Sequence, residues 1–503
     1  MNRSEGRLLS TEHPHAAGIH RPRVHFSPAR DWMNDPNGLV HLDGVYHLFF
    51  QHNPLGHDWG NMSWGHATSR DLLHWRELPV AIPCAPDEQI YSGSVVIDRQ
   101  NSSGLGAPSP APDAPPLLVA VYTSVDAGGT QAQALAFSHD GGDVWQKYAG
   151  NPVLDRGSRE FRDPKVFAYT PAGGDGETLW IMVAVEAVDR QVLVYSSPDL
   201  RSWVFESAVG PLGPEGVVWE CPDLFPLPID GEPGRETWVM LLSTNRLDEA
   251  GDAVDSSMTY LIGDFDGHRF VPDDAEAWPT LDHGRDFYAA VTFHDAPADR
   301  RIALAWAGNW QYAARTPTAP WRGAMSLPWE LGLTRTADGL VLRRSLPPES
   351  RALTAGGADG RDVLLAPGTP VRLDAGRYVV LEVDWDPAPG AGLEIDLLGS
   401  IRVRYAKASG ELSVERADPS PSVHPGFAAV GRAAVALDDG RLRLLVVVDG
   451  CVVEIVAGGG TVVFTDLVFA ASGSAAVVVA TDGGSGRVTA TPIPVAARQE
   501  AGA

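Results

Sequence analysis

The sequence predicts an all-β chain, a five-bladed β-propeller followed by a C-terminal β-sandwich. Three observations carry this: short apolar runs without long amphipathic helices, a hairpin signature that recurs four times, and a second block of short strands after a compositional break near 345–370.

From about residue 22 to 335, runs such as VYHLFFQ, PLLVAVYTS, LWIMVAVEA, VLVYSS, TWVMLLS and RIALAWA alternate with Gly, Asp and Pro, the punctuation of strands and turns. Helical periodicity is broken by Gly or Pro before three turns accumulate. The segment Ser69-Arg70-Asp71-Leu72-Leu73-His74-Trp75 is echoed around Asp140, Asp199 and Asp266, each followed by an aromatic (Trp145, Trp203, Phe270). The steps between these aspartates are 69, 59 and 67 residues, enough for a four-stranded blade with generous loops. Segment 101–116, rich in Pro, Ser and Ala, reads as an exposed loop within the second blade. Beyond the break, RYVVLEVDW, LEIDLL, IRVRYAK, RLRLLVVV, CVVEIVA and TVVFTDLVF have the spacing of a sandwich. The expected organisation is a flexible tail over 1–21, a propeller over 22–340, a linker over 341–360 and a sandwich over 361–503.

With 503 residues, two domains can each bury a core. A formal charge of −25 repels phosphate backbones and anionic lipid, so neither nucleic acid nor membrane is the expected partner, and a neutral substrate fits better. The three cysteines lack disulfide or zinc spacing and read as small buried hydrophobes; of the 15 histidines, His13, His15 and His20 lie in the tail, and His41, His47, His52, His57 and His66 of the first blade show neither HxH nor HExxH, so no metal is expected. The first twenty residues contain no apolar run of signal-peptide length, which makes cytoplasm the expected location.

The repeat also locates chemistry. Sixteen to eighteen residues beyond each repeat's aromatic lie Ser92, Asp163, Glu220 and Asp286, all polar. If each opens the innermost strand of the next blade, the four ring one central funnel, and Asp35, before the first repeat, supplies a fifth. Asp35 lies in Trp32-Met33-Asn34-Asp35-Pro36-Asn37-Gly38; Gln51, Asn53, Trp59, Asn61 and Trp64 follow, giving the amides and flat apolar faces that sugars need. Retaining glycoside cleavage requires a carboxylate nucleophile and a carboxylic acid that protonates the leaving oxygen. Asp35, flanked by amides, suits the ionised nucleophile. Glu220, between Trp219 and Cys221, has an apolar flank that would favour the protonated acid.

The motifs WMNDPNG, QHNP, WGNMSWGH, YSGS, FRDPK, WECPD, GRDFYA and WRGAMSLP, in this order, resemble glycoside hydrolase family 32, and DGCVVEIVAGGGTVVFTDLVF resembles that family's C-terminal sandwich. The resemblance covers essentially the whole chain. It implies a retaining double displacement at the fructosyl C2, with Asp35 as nucleophile, Glu220 as acid/base and Asp163 as a transition-state stabiliser that binds ring hydroxyls. It also implies that Asn34, Gln51, Trp59, Tyr91, Ser92, Arg162 and Trp310 line the pocket for the terminal fructose, and it implies no cofactor; Trp32 and Met33 of the first motif and Asp286 of the spaced ring are expected to bind substrate beside them. The motifs most resemble bacterial exo-acting fructan hydrolases, so the expected substrates are levan or inulin ends and sucrose. The alternatives are a sucrose-preferring invertase, a fructosyltransferase or a binding protein without catalysis. Tyr91, His52 and Trp329 depart from the usual Phe, Tyr and Arg of the corresponding motifs.

Overall fold

The structure is a computed structural model that describes residues 17–107, 115–171, 177–337, 339–354, 360–419, 422–471, 473 and 476–494. Its helical elements are 3-10 turns of three to six residues, and among the described residues no helix is long and apolar enough to cross a membrane.

Five antiparallel sheets follow one another along the propeller. Their innermost strands are Asp31–Leu42, Glu88–Ile97, Phe161–Tyr169, Val217–Pro228 and Tyr288–Thr292. Each packs on the next, and the fifth packs back on the first. Between blades the cores are apolar: Phe49, Trp64, Val95 and Tyr122 join blades I and II, and Val183, Val194, Trp219 and Leu242 join III and IV. Blade I carries one extra strand, Trp321–Arg322, laid parallel against the start of its innermost strand by a segment that leaves blade V. Gly323 makes this approach possible, because at its φ of 94° a Cβ would stand 2.1 Å from the Met33 carbonyl oxygen.

The recurring Asp-to-aromatic segment is the hairpin between the third and fourth strands of blades I to IV. In the first three the same bonds hold it: a Ser Oγ and an Asp carboxylate cap the turn, and the indole N–H of Trp75, Trp145 or Trp203 returns to the carbonyl of Leu72, Gly142 or Leu200.

Two six-stranded sheets form the sandwich, from Arg361–Leu365 to Ser485–Pro492, over a core that includes Leu381, Trp385, Ile395, Val446 and Phe464. Blade V ends at Ser345, inside the expected linker, which continues as the 3-10 turn Pro348–Leu353; residues 355–359 lie outside the described residues. Of the expected tail, 1–16 lie outside the described residues as well, whereas His20 is buried edge-on against Phe469 of the sandwich. Of the loop 101–116, residues 108–114 are not described. Buried carboxylates stitch the domains together. Asp449 accepts the backbone N–H groups of Arg23, Val24 and His25, and Glu454 that of Leu327.

Candidate active site

Each innermost strand has a register irregularity at one level of the funnel. It falls between Met33 and Pro36, Ile90 and Gly93, Arg162 and Lys165, Glu220 and Asp223, and Tyr288 and Val291. A bulge re-aims the side chains within it. The equivalent residues inside are Asn34-Asp35, Tyr91-Ser92, Asp163-Pro164, Cys221-Pro222 and Ala289-Ala290, with Asp163, Cys221 and Ala289 all at positive φ. In blade II the device depends on Gly93, where a Cβ would lie 2.1 Å from the Val121 carbonyl oxygen.

These bulges gather the carboxylates. Asp35 accepts from Asn34 Nδ2 at 2.9 Å and from Ser92 Oγ at 2.7 Å. Asp163 accepts from the Cys221 backbone N–H at 3.0 Å, and the Cys221 thiol lies 3.6 Å from Asp35 Oδ2 and 3.7 Å from Asp163 Oδ2. Glu220, one residue before, takes Arg162 Nη2 at 2.9 Å on one oxygen and the Tyr288 hydroxyl at 2.5 Å on the other. Arg162 also donates to Glu160 at 2.8 Å. The surrounding cavity, about 380 Å³, is lined by Asn34, Asp35, Gln51, Trp59, Tyr91, Ser92, Gln131, Glu160, Arg162, Asp163, Glu220 and Trp310. Its volume suits a small polar ligand.

Burial grades the site by depth. Asn34, Asp35, Gln51, Ser92 and Asp163 form a floor with 8% exposure or less, whereas Trp59 at the mouth is 46% exposed. On the floor, burial pushes the Asp35 carboxyl above the usual carboxylate range; the Asn34 hydrogen bond opposes this, the Glu220 charge adds to it, and the Ser92 hydrogen bond opposes it again. Asp163 is pushed up by burial, then relieved by Arg162 and raised again by Glu220 and Asp35. Several acids thus share one poorly solvated pocket with a single guanidinium.

Three expected site residues sit elsewhere. Trp32 and Met33 are fully buried and do not line the cavity; Trp32 instead supports it, donating its indole N–H to Asn34 Oδ1 at 2.7 Å and stacking on Trp310 at 6.0 Å. Asp286 faces the domain junction. It bonds the Arg416 guanidinium, the Tyr312 hydroxyl at 2.7 Å and the Leu467 N–H at 2.8 Å. The bulge register explains the displacement, because the blade V residue equivalent to Glu220 is Tyr288, two positions further on. The ring expected from spacing therefore holds for Ser92, Asp163 and Glu220 and fails for Asp286. The flank of Glu220 also differs from expectation: Trp219 turns away to stack on Trp278 at 5.6 Å, and polar groups surround the carboxyl.

Sequence reasoning missed Tyr288, Gln131, Glu160 and the polar role of the Cys221 thiol. Tyr288 was within reach, since it lies in the same GRDFYA motif as Asp286. Of the three departures, His52 is buried with Nδ1 2.7 Å from the Trp32 carbonyl oxygen, Trp329 is buried beside the domain junction, and Tyr91 lines the cavity.

Residues 25–343 match the model for the glycosyl hydrolases family 32 N-terminal domain, and 363–493 that for the glycosyl hydrolases family 32 C terminal. The chain is 39% identical over 469 residues to a levanase of Bacillus subtilis, covering 89% of this chain and 66% of the levanase. It is 41% identical over 346 residues to an extracellular exo-inulinase of Aspergillus niger, covering 62% of each. The chain thus spans just under two thirds of the length of these relatives. The crystal structure of the exo-inulinase from Aspergillus awamori superposes with a TM-score of 0.84 at 31% identity, over 94% of this chain and 98% of that one. A β-fructofuranosidase from Schwanniomyces occidentalis, complexed with fructosyl-erythritol, gives 0.83 at 31% identity over the same shares. With both family models matched in order over a propeller and a sandwich, the chain belongs to glycoside hydrolase family 32.

Proposed function

We propose that this chain is a retaining β-fructofuranosidase that releases terminal fructose from levan or inulin and from sucrose. The observation that carries the reading is the convergence of Asp35, Asp163 and Glu220 around the Cys221 thiol and Arg162 at the funnel axis.

Asp35, anchored by Asn34 and Ser92, attacks the fructosyl C2 while Glu220 protonates the departing oxygen. Glu220 then takes a proton from the water that opens the fructosyl–Asp35 ester. Asp163, aimed beside Asp35 by its own bulge, accepts hydrogen bonds from ring hydroxyls, and these strengthen as charge develops on the ring. Arg162 and Tyr288 hold both Glu220 oxygens in place. A floor closed by Asn34 and Gln51, each 2% exposed, admits one chain end, which supports exo action.

Product analysis on levan, inulin and sucrose tests the reading. Fructose as the sole product of the two polymers is expected, with first-formed fructose in the β-anomeric form by NMR. Oligosaccharide products or inversion overturn it. Asp35→Asn is expected to abolish turnover of every substrate, whereas Glu220→Gln keeps activity on an aryl β-fructofuranoside, whose leaving group needs no proton. Equal loss on both substrates contradicts the assignment of roles.

A further inference from the structure

Tyr91 brings a phenol hydroxyl to the cavity at a position where the family resemblance implies a bare phenyl ring. Its position is built. Tyr91 occupies the same bulge position as Asp163 and Cys221, its carbonyl oxygen accepts the Trp64 indole N–H at 3.0 Å, and its ring meets Trp59 edge-on at 5.9 Å. Among the described residues no hydrogen bond engages its hydroxyl.

Depth and charge say which part of a substrate it faces. The buried floor around Asp35, Asn34 and Gln51 takes the fructosyl unit under the function proposed above, so the leaving group lies toward the mouth, on the Glu220 side from which its proton comes. Tyr91 and Trp59 belong to that more open part of the cavity, and the charges that act on the phenol are those of Arg162, Asp163, Glu220 and Glu160. We infer that the Tyr91 hydroxyl determines leaving-group specificity by hydrogen-bonding a hydroxyl of the sugar unit released, favouring sugar over bare aromatic leaving groups. Burial raises the phenol's titration above its usual range, so the group remains a donor throughout the working pH range of a carboxylate enzyme.

This inference rests on the proposed β-fructofuranosidase reading, and one experiment separates the two. Initial rates of wild type and Tyr91→Phe are measured on sucrose and on 4-nitrophenyl β-D-fructofuranoside, using the same enzyme preparation for both substrates. The variant keeps the ring and its contact with Trp59. Its ratio of kcat/KM for sucrose to kcat/KM for the aryl fructoside is expected to fall by about fivefold, the size of one neutral hydrogen bond, with the change in the sucrose KM. Any inactive fraction cancels in the ratio. An unchanged or increased ratio overturns the inference even when both rates drop. Failure of the wild type to cleave either substrate overturns the proposed function instead.

Discussion

Replacing Asp286 by Asn tests whether this residue serves the domain junction or the active site. In the structure its carboxylate is wholly buried and faces an Arg416 side chain that is 1% exposed. It also takes the Tyr312 hydroxyl and the Leu467 N–H, so neutralising it leaves a cation in a dry interface. Breaking a buried pair from one side costs about 3–5 kcal/mol. Asp466, 3.4 Å from the same guanidinium nitrogen, remains as a partial partner, which puts the cost at the lower end, about 3 kcal/mol. Spread over a protein of this size, that corresponds to a fall in Tm of about 3 °C. Calorimetry at one scan rate measures it, alongside kcat/KM for sucrose at 25 °C. The expected result is a lower Tm with kcat/KM within about threefold of wild type, since the carboxylate bonds Arg416, Tyr312 and Leu467, none of which lines the cavity. Adding Arg416→Met removes the stranded charge and is expected to restore much of the stability. A variant of wild-type stability whose kcat/KM drops a hundredfold would refute the reasoning and return Asp286 to the funnel.

Five further outcomes are expected. Because Asp35 must be ionised to attack and its carboxyl is raised by burial, activity is present above that raised value and lost as pH falls through it, so the acid limb of kcat/KM lies above the usual carboxylate range. Ser92→Ala removes a bond that opposes the rise, and the limb moves to higher pH; a limb that stays or falls contradicts this. Tyr288→Phe deprives Glu220 of one donor and lowers kcat on sucrose by about tenfold, with a smaller loss on an aryl fructoside, as steady-state kinetics will show. Gly93→Ala forces a Cβ to within 2.1 Å of the Val121 carbonyl, so thermal melting by circular dichroism should record a loss of about 3 kcal/mol or more. Activity should survive exhaustive dialysis against a chelator, since the proposed steps need only side chains.

What could be read in the sequence was whatever repeats. The Ser69-to-Trp75 hairpin was visible because its bonds are local, Ser Oγ and Asp71 to the turn and Trp75 to Leu72, so each copy must keep the same residues at the same spacing. Counting from it reached Ser92, Asp163 and Glu220. It missed in blade V because the position on the axis is set by the bulge between Tyr288 and Val291, and a bulge leaves no mark in residue spacing. Contacts made across blades were hidden for a related reason. The Cys221 thiol looks like any small apolar group until blades I and III bring Asp35 and Asp163 to it. His20 reads as part of a flexible tail because its partner, Phe469, lies more than four hundred residues away.

The strand Trp321–Arg322 has a consequence for how the protein comes to be active. Asp35's strand is first in the propeller, yet its inner edge is completed only by residues nearly three hundred positions later, where Asp31 donates to the Pro320 carbonyl at 2.7 Å. A nascent chain that has emerged as far as blade IV already contains Asp35, Asp163 and Glu220, but the strand holding the nucleophile still has an open edge. Under the proposed function, fructoside cleavage should therefore begin only late in biosynthesis, once the ring has closed.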